Sequence, residues 1–322
     1  MSSPSHGLRQ RLRLGGMGKA ALEQLWRQRD TQDGRRLLVC LAAIVAVTLL
    51  FAGVLVSLVQ HAMGSELHSH IILIPFVSAY LLYRRLEQLP KSYSTWLPGV
   101  VTAAILGAGL VALGFLANFS ANDRLSVFVG AYVATLMAIA FGLLGLRWVK
   151  AAVVPLFFLL FLIPLPDALV LAVEDLLARV SADVSASFIQ WAGVPMYREG
   201  QVFHLPGVVL EVARECSGIR STWVLLIFGL VAAFELLETG WRRLLLVAVV
   251  IPLGILRNAT RIFVIAWLCT QISPQMIHSP VHNRGGPIFF ALSLVPLFCL
   301  IWWLRRQERS EKLTAPDPQG SK

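Results

Sequence analysis

The chain has 322 residues, of which 57% are hydrophobic and 14% charged, with a mean hydropathy of +0.70. Soluble domains carry roughly 25% charged residues, so this composition excludes a soluble globular protein and points to an integral membrane protein. The net charge of +10 lies in short basic runs between apolar stretches, a pattern that the positive-inside rule explains without nucleic acid as a partner.

The first 36 residues hold eight Arg or Lys against three acids and no apolar signal core, which predicts a basic cytoplasmic arm over 1–36 rather than a cleavable leader. An apolar run of 23 residues follows at 37–59, long enough to cross a bilayer; Arg35 and Arg36 place its start in the cytoplasm. A polar connection over 60–70 leads to a shorter apolar segment at 70–83, closed by Arg84 and Arg85. The third and fourth spans are predicted at 96–116 and 125–146, and Arg147 and Lys150 return the chain to the basic side. A fifth segment, 151–165, ends at Pro164 and Pro166, which stop or kink a helix.

From 167 to 214 the character changes. Leu169, Val173, Leu176, Leu177, Val180 and Val184 recur at near-helical spacing among Glu174, Asp175, Arg179 and Asp183, the pattern of an amphipathic helix on the membrane surface or along a polar cavity. Residues 193–200 read as a turn, and the alternation over 201–212 predicts a hairpin. The sixth span is predicted at 217–237, followed by Arg242-Arg243, and the seventh at 244–270. A loop over 271–285 precedes the eighth, 286–304, and Arg305-Arg306 open a polar tail over 305–322. The expected fold is an all-α polytopic helical bundle of about eight transmembrane helices with cytoplasmic N- and C-termini. Its membrane domain covers 37–304 and includes the outer-face segment 166–216.

Three features concentrate chemistry on the outer side of that topology. Cys216 stands in the polar island Glu215-Cys216-Ser217-Gly218-Ile219-Arg220-Ser221 at the mouth of the sixth span, whereas Cys40, Cys269 and Cys299 lie inside apolar segments, where a thiol behaves as a small hydrophobe. Arg257 and Arg261 are four apart on the seventh span and share one helix face. An arginine within a span costs about 2.5–3.5 kcal/mol on insertion scales, so two on one helix require a polar cavity or a paired site. His278 and His282 fall in the following loop. A thiolate nucleophile needs cationic neighbours or a helix N-terminus to lower its pKa; Arg220, Arg261 and His282 are the candidates. His278 and His282 have the i, i+4 spacing of a zinc pair, but no H-E-x-x-H or Cys-x-x-Cys accompanies them. Neither a metal nor another cofactor is expected. His61, His68, His70 and His204 lie in outer-face connections where solvated or capping roles suffice.

The ordered set Cys216-Ser217-Gly218-Ile219-Arg220-Ser221, Asn258-Ala259-Thr260-Arg261, and His282 before Gly286 and Phe289-Phe290 resembles the exosortase/archaeosortase family of multispanning cysteine transpeptidases. The upstream Ser69-His70-Ile71-Ile72-Leu73-Ile74-Pro75 and the stretch from Pro164 to Gly200 are similar to the family as well, so the resemblance covers roughly 65–305. It implies that Cys216 is the nucleophile, Arg261 the essential arginine and His282 the histidine. Arg220 and Asn258 match further motif positions, while Arg257 and His278 fall outside the motifs in supporting roles.

The resemblance further implies a protein of the cell inner (plasma) membrane whose site faces the periplasm or exterior. Its partners would be membrane-anchored protein substrates with C-terminal sorting signals, each a short motif, a transmembrane helix and a basic tail. An exopolysaccharide or lipid would be the acceptor. A transporter of lipid-linked saccharide, with Arg257 and Arg261 on an anionic headgroup, explains the buried arginines but gives Cys216 no task. An accessory subunit of exopolysaccharide export is the other alternative.

Overall fold

A computed structural model describes residues 32–212, 217–278 and 285–314. Contacts divide the chain at Pro166 into a first and a second unit.

In the first unit, α1 (Gln32–Leu50) and α2 (Ala52–Gly64) meet at Phe51 with a bend of 68°. A 3₁₀ turn, Ser69–Leu73, leads into α3 (Ile74–Arg84). The hairpin of α4 (Leu97–Leu116) and α5 (Ala121–Ile139) is the main packing unit. Gly99, Ala103, Gly107 and Gly114 form the buried face of α4. A Cβ at Gly107 would stand 3.3 Å from Thr135 Oγ1 and 3.5 Å from the Ala131 carbonyl. Lipid gives helices no hydrophobic reason to associate, so close backbone approach over small residues supplies the contact.

After α5 the helix widens into a π turn, Ala140–Leu144. The carbonyls this leaves open are taken up by the 94–96 segment: Trp96 N–H donates to Phe141 O (3.0 Å) and Thr95 Oγ1 to Gly142 O (2.9 Å). Two short helices follow, α6 (Leu146–Ala151) and α7 (Val153–Phe158), then a 3₁₀ turn ending at Leu162. Helix stops before Pro164, as the prolines predict. The freed carbonyls of Pro164 and Leu165 accept from Ser126 Oγ and Asn122 Nδ2, each at 2.8 Å.

The second unit opens with α8 (Asp167–Trp191). An antiparallel sheet follows in the order β1 (Tyr197–Glu199), β2 (Val202–Leu205), β3 (Val208–Glu211). Its two tight turns use Gly200 at φ 60° and Gly207 at φ 79°; Pro206 before Gly207 suits a type II turn. Three helices complete the unit: α9 (Ile219–Leu236), α10 (Gly240–Gln271) and α11 (Gly286–Thr314).

Helix α10 is the centre. One core joins it to α8 and the sheet through Ala178, Ala182, Ala186, Phe203, Leu210, Ile262 and Ala266; a second joins it to α9 and α11 through Leu225, Ala233, Leu246, Val250, Leu297 and Leu304. On α8 the buried residues Ala178, Ser181, Ala182, Ser185 and Ala186 form a small-residue seam, and Ser185 Oγ reaches the Ala259 carbonyl at 3.2 Å. On α9 the close approach falls at glycines of both helices: a Cβ at Gly254 would stand 2.6 Å from Thr222 Oγ1, and one at Gly229 2.7 Å from Val250 Cγ2.

The expected helical membrane bundle is present, with several differences in detail. Among the described residues, five helices are long and apolar enough to cross a membrane, or up to seven if two broken pairs each count as one span. The predicted segment at 70–83 is too short to join that count: its helix, Ser69–Arg84, belongs to the shorter apolar class. The amphipathic stretch is helical only to Trp191, and the region read as a turn at 193–200 contains β1, so the bundle carries a small sheet beside its helices.

The basic pair after the sixth span is not a loop. Arg242 lies inside α10 and is 1% exposed. It pairs with Glu308 at 3.7 Å and with Glu311, and Glu308 also accepts the backbone N–H groups of Glu238 (3.1 Å) and Thr239 (2.8 Å). The predicted tail therefore continues as helix to Thr314, tied by these charges to the α9–α10 turn. Sequence pattern could not anticipate this, because Glu308 is 66 residues from its partner Arg242.

Candidate active site

The polar turn of α10 meets the start of α9 next to the cysteine motif. The motif's helix begins at Ile219, not at Ser217, and Gly218 precedes it at φ 76°, ψ 13°. That left-handed conformation is one glycine adopts without strain. Arg257 Nη2 donates to the Gly218 carbonyl at 3.1 Å, and Thr222 Oγ1 donates to the same oxygen at 2.9 Å. Asn258 closes the other side: a Cβ at Gly218 would stand 2.8 Å from Arg257 Nη2 and 3.1 Å from Asn258 Oδ1. Ser217 is 2% exposed and its Oγ accepts the Ile219 N–H at 3.4 Å.

Arg257 and Asn258 are buried, at 8% and 2% exposure. Arg257 is thus no snorkelling residue; it is a strut under the motif. Its Nη1 is buried without a hydrogen-bond partner among the described residues. The residue also lines a cavity of about 120 Å³ with Leu253, Thr260, Phe289 and Ser293, between α10 and α11. Such a polar group, desolvated and only partly paired, is costly to keep in a membrane helix.

Arg261 lies one turn further along α10. With Asn258 and Ile262 it lines a cavity of about 20 Å³ whose other wall is the end of the sheet, Leu210, Glu211 and Val212, space on the scale of one water. Arg261 and the end of β3 thus line the same cavity, and Cys216 follows Val212 by four residues in sequence. Arg220, on the first turn of α9, is exposed.

Cys216 and His282 lie outside the described residues, and His278 is described in its backbone only, as the last residue of the 3₁₀ turn Pro274–His278. The structure therefore brings together Arg257, Asn258 and the Gly218 turn, and places Arg261 along the same face of α10. His204 is on β2, with Nε2 3.9 Å from Glu199. No group of three or more His, Cys, Asp or Glu among the described residues could hold a metal ion.

Sequence reasoning missed the parts played by Gly218 and by the β3 wall. The Ser-Gly pair before an apolar run signals the first, but the second has no local signal, because β3 and Arg261 are 50 residues apart.

The family model for transmembrane exosortases (Exosortase_EpsH) matches residues 60–299. This chain belongs to that family. The match runs from the end of α2 into α11 and so contains the cysteine motif, the Asn258–Arg261 turn and His282. No curated protein matches the chain, and no solved structure does. Family membership establishes a multi-pass exosortase-type membrane protein.

Proposed function

We propose that this exosortase-family protein is a membrane-embedded cysteine peptidase and transpeptidase. Its substrates are exported proteins ending in a sorting signal of short motif, transmembrane helix and basic tail, and its site faces the outside of the inner membrane. The observation that carries this reading is the contact of Arg257 and Asn258 with Gly218. Two residues after Cys216 the backbone is held by the polar turn of a membrane helix, an arrangement with a high insertion cost that packing alone does not require.

In this reading the Cys216 thiolate attacks the carbonyl carbon at the scissile bond, forming a tetrahedral oxyanion. Arg261 stabilises that charge, more strongly in a water-poor site than in bulk water. Collapse breaks the C–N bond; His282 gives its proton to the leaving amine, and a thioester joins Cys216 to the amino-terminal part of the substrate. His282 then takes a proton from the acceptor, a saccharide or lipid nucleophile, as it attacks the thioester carbonyl; the C–S bond breaks and Cys216 leaves as the thiolate, which restores the starting state. Arg220, Asn258 and His278 support the site. Arg257 fixes the turn rather than touching substrate.

Replacing Cys216 with Ala tests the reading. Processing of a co-expressed tagged substrate stops while the protein still inserts; processing at the wild-type rate in Cys216→Ala would sink the proposal.

A further inference from the structure

The sheet leaves one edge open beside Arg261, and we propose that the substrate's scissile segment binds there as a fourth strand, antiparallel or parallel to β3. The proposal rests on the transpeptidase reading above and names how that site takes its substrate.

The hydrogen-bond register fixes which groups of β3 are on offer. Val212 N–H donates to Gln201 O at 2.9 Å, and the ladder pairs Val202 with Glu211, Phe203 with Leu210, His204 with Val209 and Leu205 with Val208. In an antiparallel pair, residues alternate between bonding across the ladder and pointing away from it. Positions 208, 210 and 212 therefore bond toward β2. The N–H and C=O groups of Val209 and Glu211 point outward, and among the described residues no strand pairs with them.

Their side chains confirm the alternation. Leu210 is buried against the α8–α10 core and Val208 packs on it, whereas Val209 is 57% exposed and Glu211 is exposed. The edge is thus a fixed template: its inner face is anchored in a core while its outward backbone groups remain available.

Location selects the occupant. Leu210, Glu211 and Val212 share a cavity wall with Asn258 and Arg261, so a strand laid along this edge runs beside the residue assigned to the oxyanion. In sequence, Cys216 follows Glu211 by five residues. A peptide bond within a helix has its carbonyl engaged by the N–H four residues on, and an extended segment frees it for attack. Strand addition supplies that conformation, with main-chain bonds giving affinity and alternate side chains giving specificity. The edge is only four residues long and carries the charge of Glu211, features that prevent permanent edge-to-edge pairing and suit a peptide that must leave after cleavage.

The test uses the full-length membrane protein in two arms. In the Cys216→Ala background, a photo-crosslinking amino acid at position 209 is activated in the presence of tagged substrate; the expected adduct maps to the sorting motif. An adduct found only within the chain itself, or only on the substrate's transmembrane helix, overturns the proposal. In the active protein, Val209→Pro and Glu211→Pro each remove an outward N–H without removing a ladder bond, a change edge strands tolerate. The expected result is an apparent KM raised by about tenfold, the cost of one lost hydrogen bond, with kcat and thermal stability in detergent near wild type; Val209→Ala, which keeps the N–H, binds substrate more tightly than Val209→Pro. Unchanged KM in both proline variants, with Cys216→Ala inert, overturns strand addition and leaves the transpeptidase reading standing. Full processing by Cys216→Ala would instead remove that reading itself.

Discussion

At Gly218 the backbone takes φ 76° while Arg257 and Asn258 close over it, so this position allows no side chain. Gly218→Ala meets both a left-handed backbone, worth about 1–3 kcal/mol of strain for a non-glycine residue, and a contact of 2.8 Å with Arg257 Nη2. The expected outcome is loss of most substrate processing at normal membrane insertion, read from the ratio of cleaved to full-length substrate against the amount of inserted protein. Arg257→Lys is a gentler version of the same lesion: an ammonium replaces a planar fork and cannot hold the same geometry. It lowers kcat more than it raises KM, whereas a direct substrate contact would move KM. A wild-type kcat in Arg257→Lys would contradict the strut role.

Among the elements, α10 shows how a sequence that looks overloaded with charge is accommodated. Its 32 residues carry Arg242, Arg243, Arg257 and Arg261, and each buried arginine has its own arrangement. Arg257 props the α9 start, while Arg242 is enclosed by Glu308 and Glu311 at the other end. Removing one partner of a buried pair strands the other charge, at about 3–5 kcal/mol. Glu308→Ala also leaves the N–H groups of Glu238 and Thr239 without their acceptor. It is expected to lower the melting temperature in detergent markedly, and the double replacement Arg242→Met with Glu308→Leu to recover much of it; equal losses in the single and double variants would show that the ion pair is not the cause. The α8–α10 seam is sensitive in the opposite sense. Ala182 is 0% exposed, and Ala182→Leu overpacks it by about 1–3 kcal/mol, shifting the same melting curve downward.

For the molecule as a whole, the exposed surface is the strongest evidence of its medium. Leu50, Phe115 and Leu116 are 79%, 78% and 84% exposed, tolerable only where lipid replaces water. Membrane orientation is the corresponding prediction. Cys40 and Cys269 are buried, and Cys299 lies on an apolar stretch of α11, so an impermeant maleimide added from outside is expected to label one cysteine and to lose that label in Cys216→Ala. Labelling that requires access from the cytoplasm would invert the proposed topology.

What the sequence determined by itself follows from local physics. Apolar run length sets spans, so 96–116 matches a helix to within one residue and 286–304 falls within one; Pro164 and Pro166 end a helix because proline lacks the N–H; alternation over 201–212 makes β2 and β3. Arg257 and Arg261 were legible as candidates because charge inside a membrane helix is too costly to be incidental, and Asn258 was legible through its motif resemblance. Tertiary structure decided the rest, because it depends on partners distant in the chain. It turned Arg242 from a loop marker into a buried charge by bringing Glu308 to it, and it identified Arg257 as the strut under Gly218. It also set the open edge of β3 beside Arg261, which no spacing along the sequence encodes.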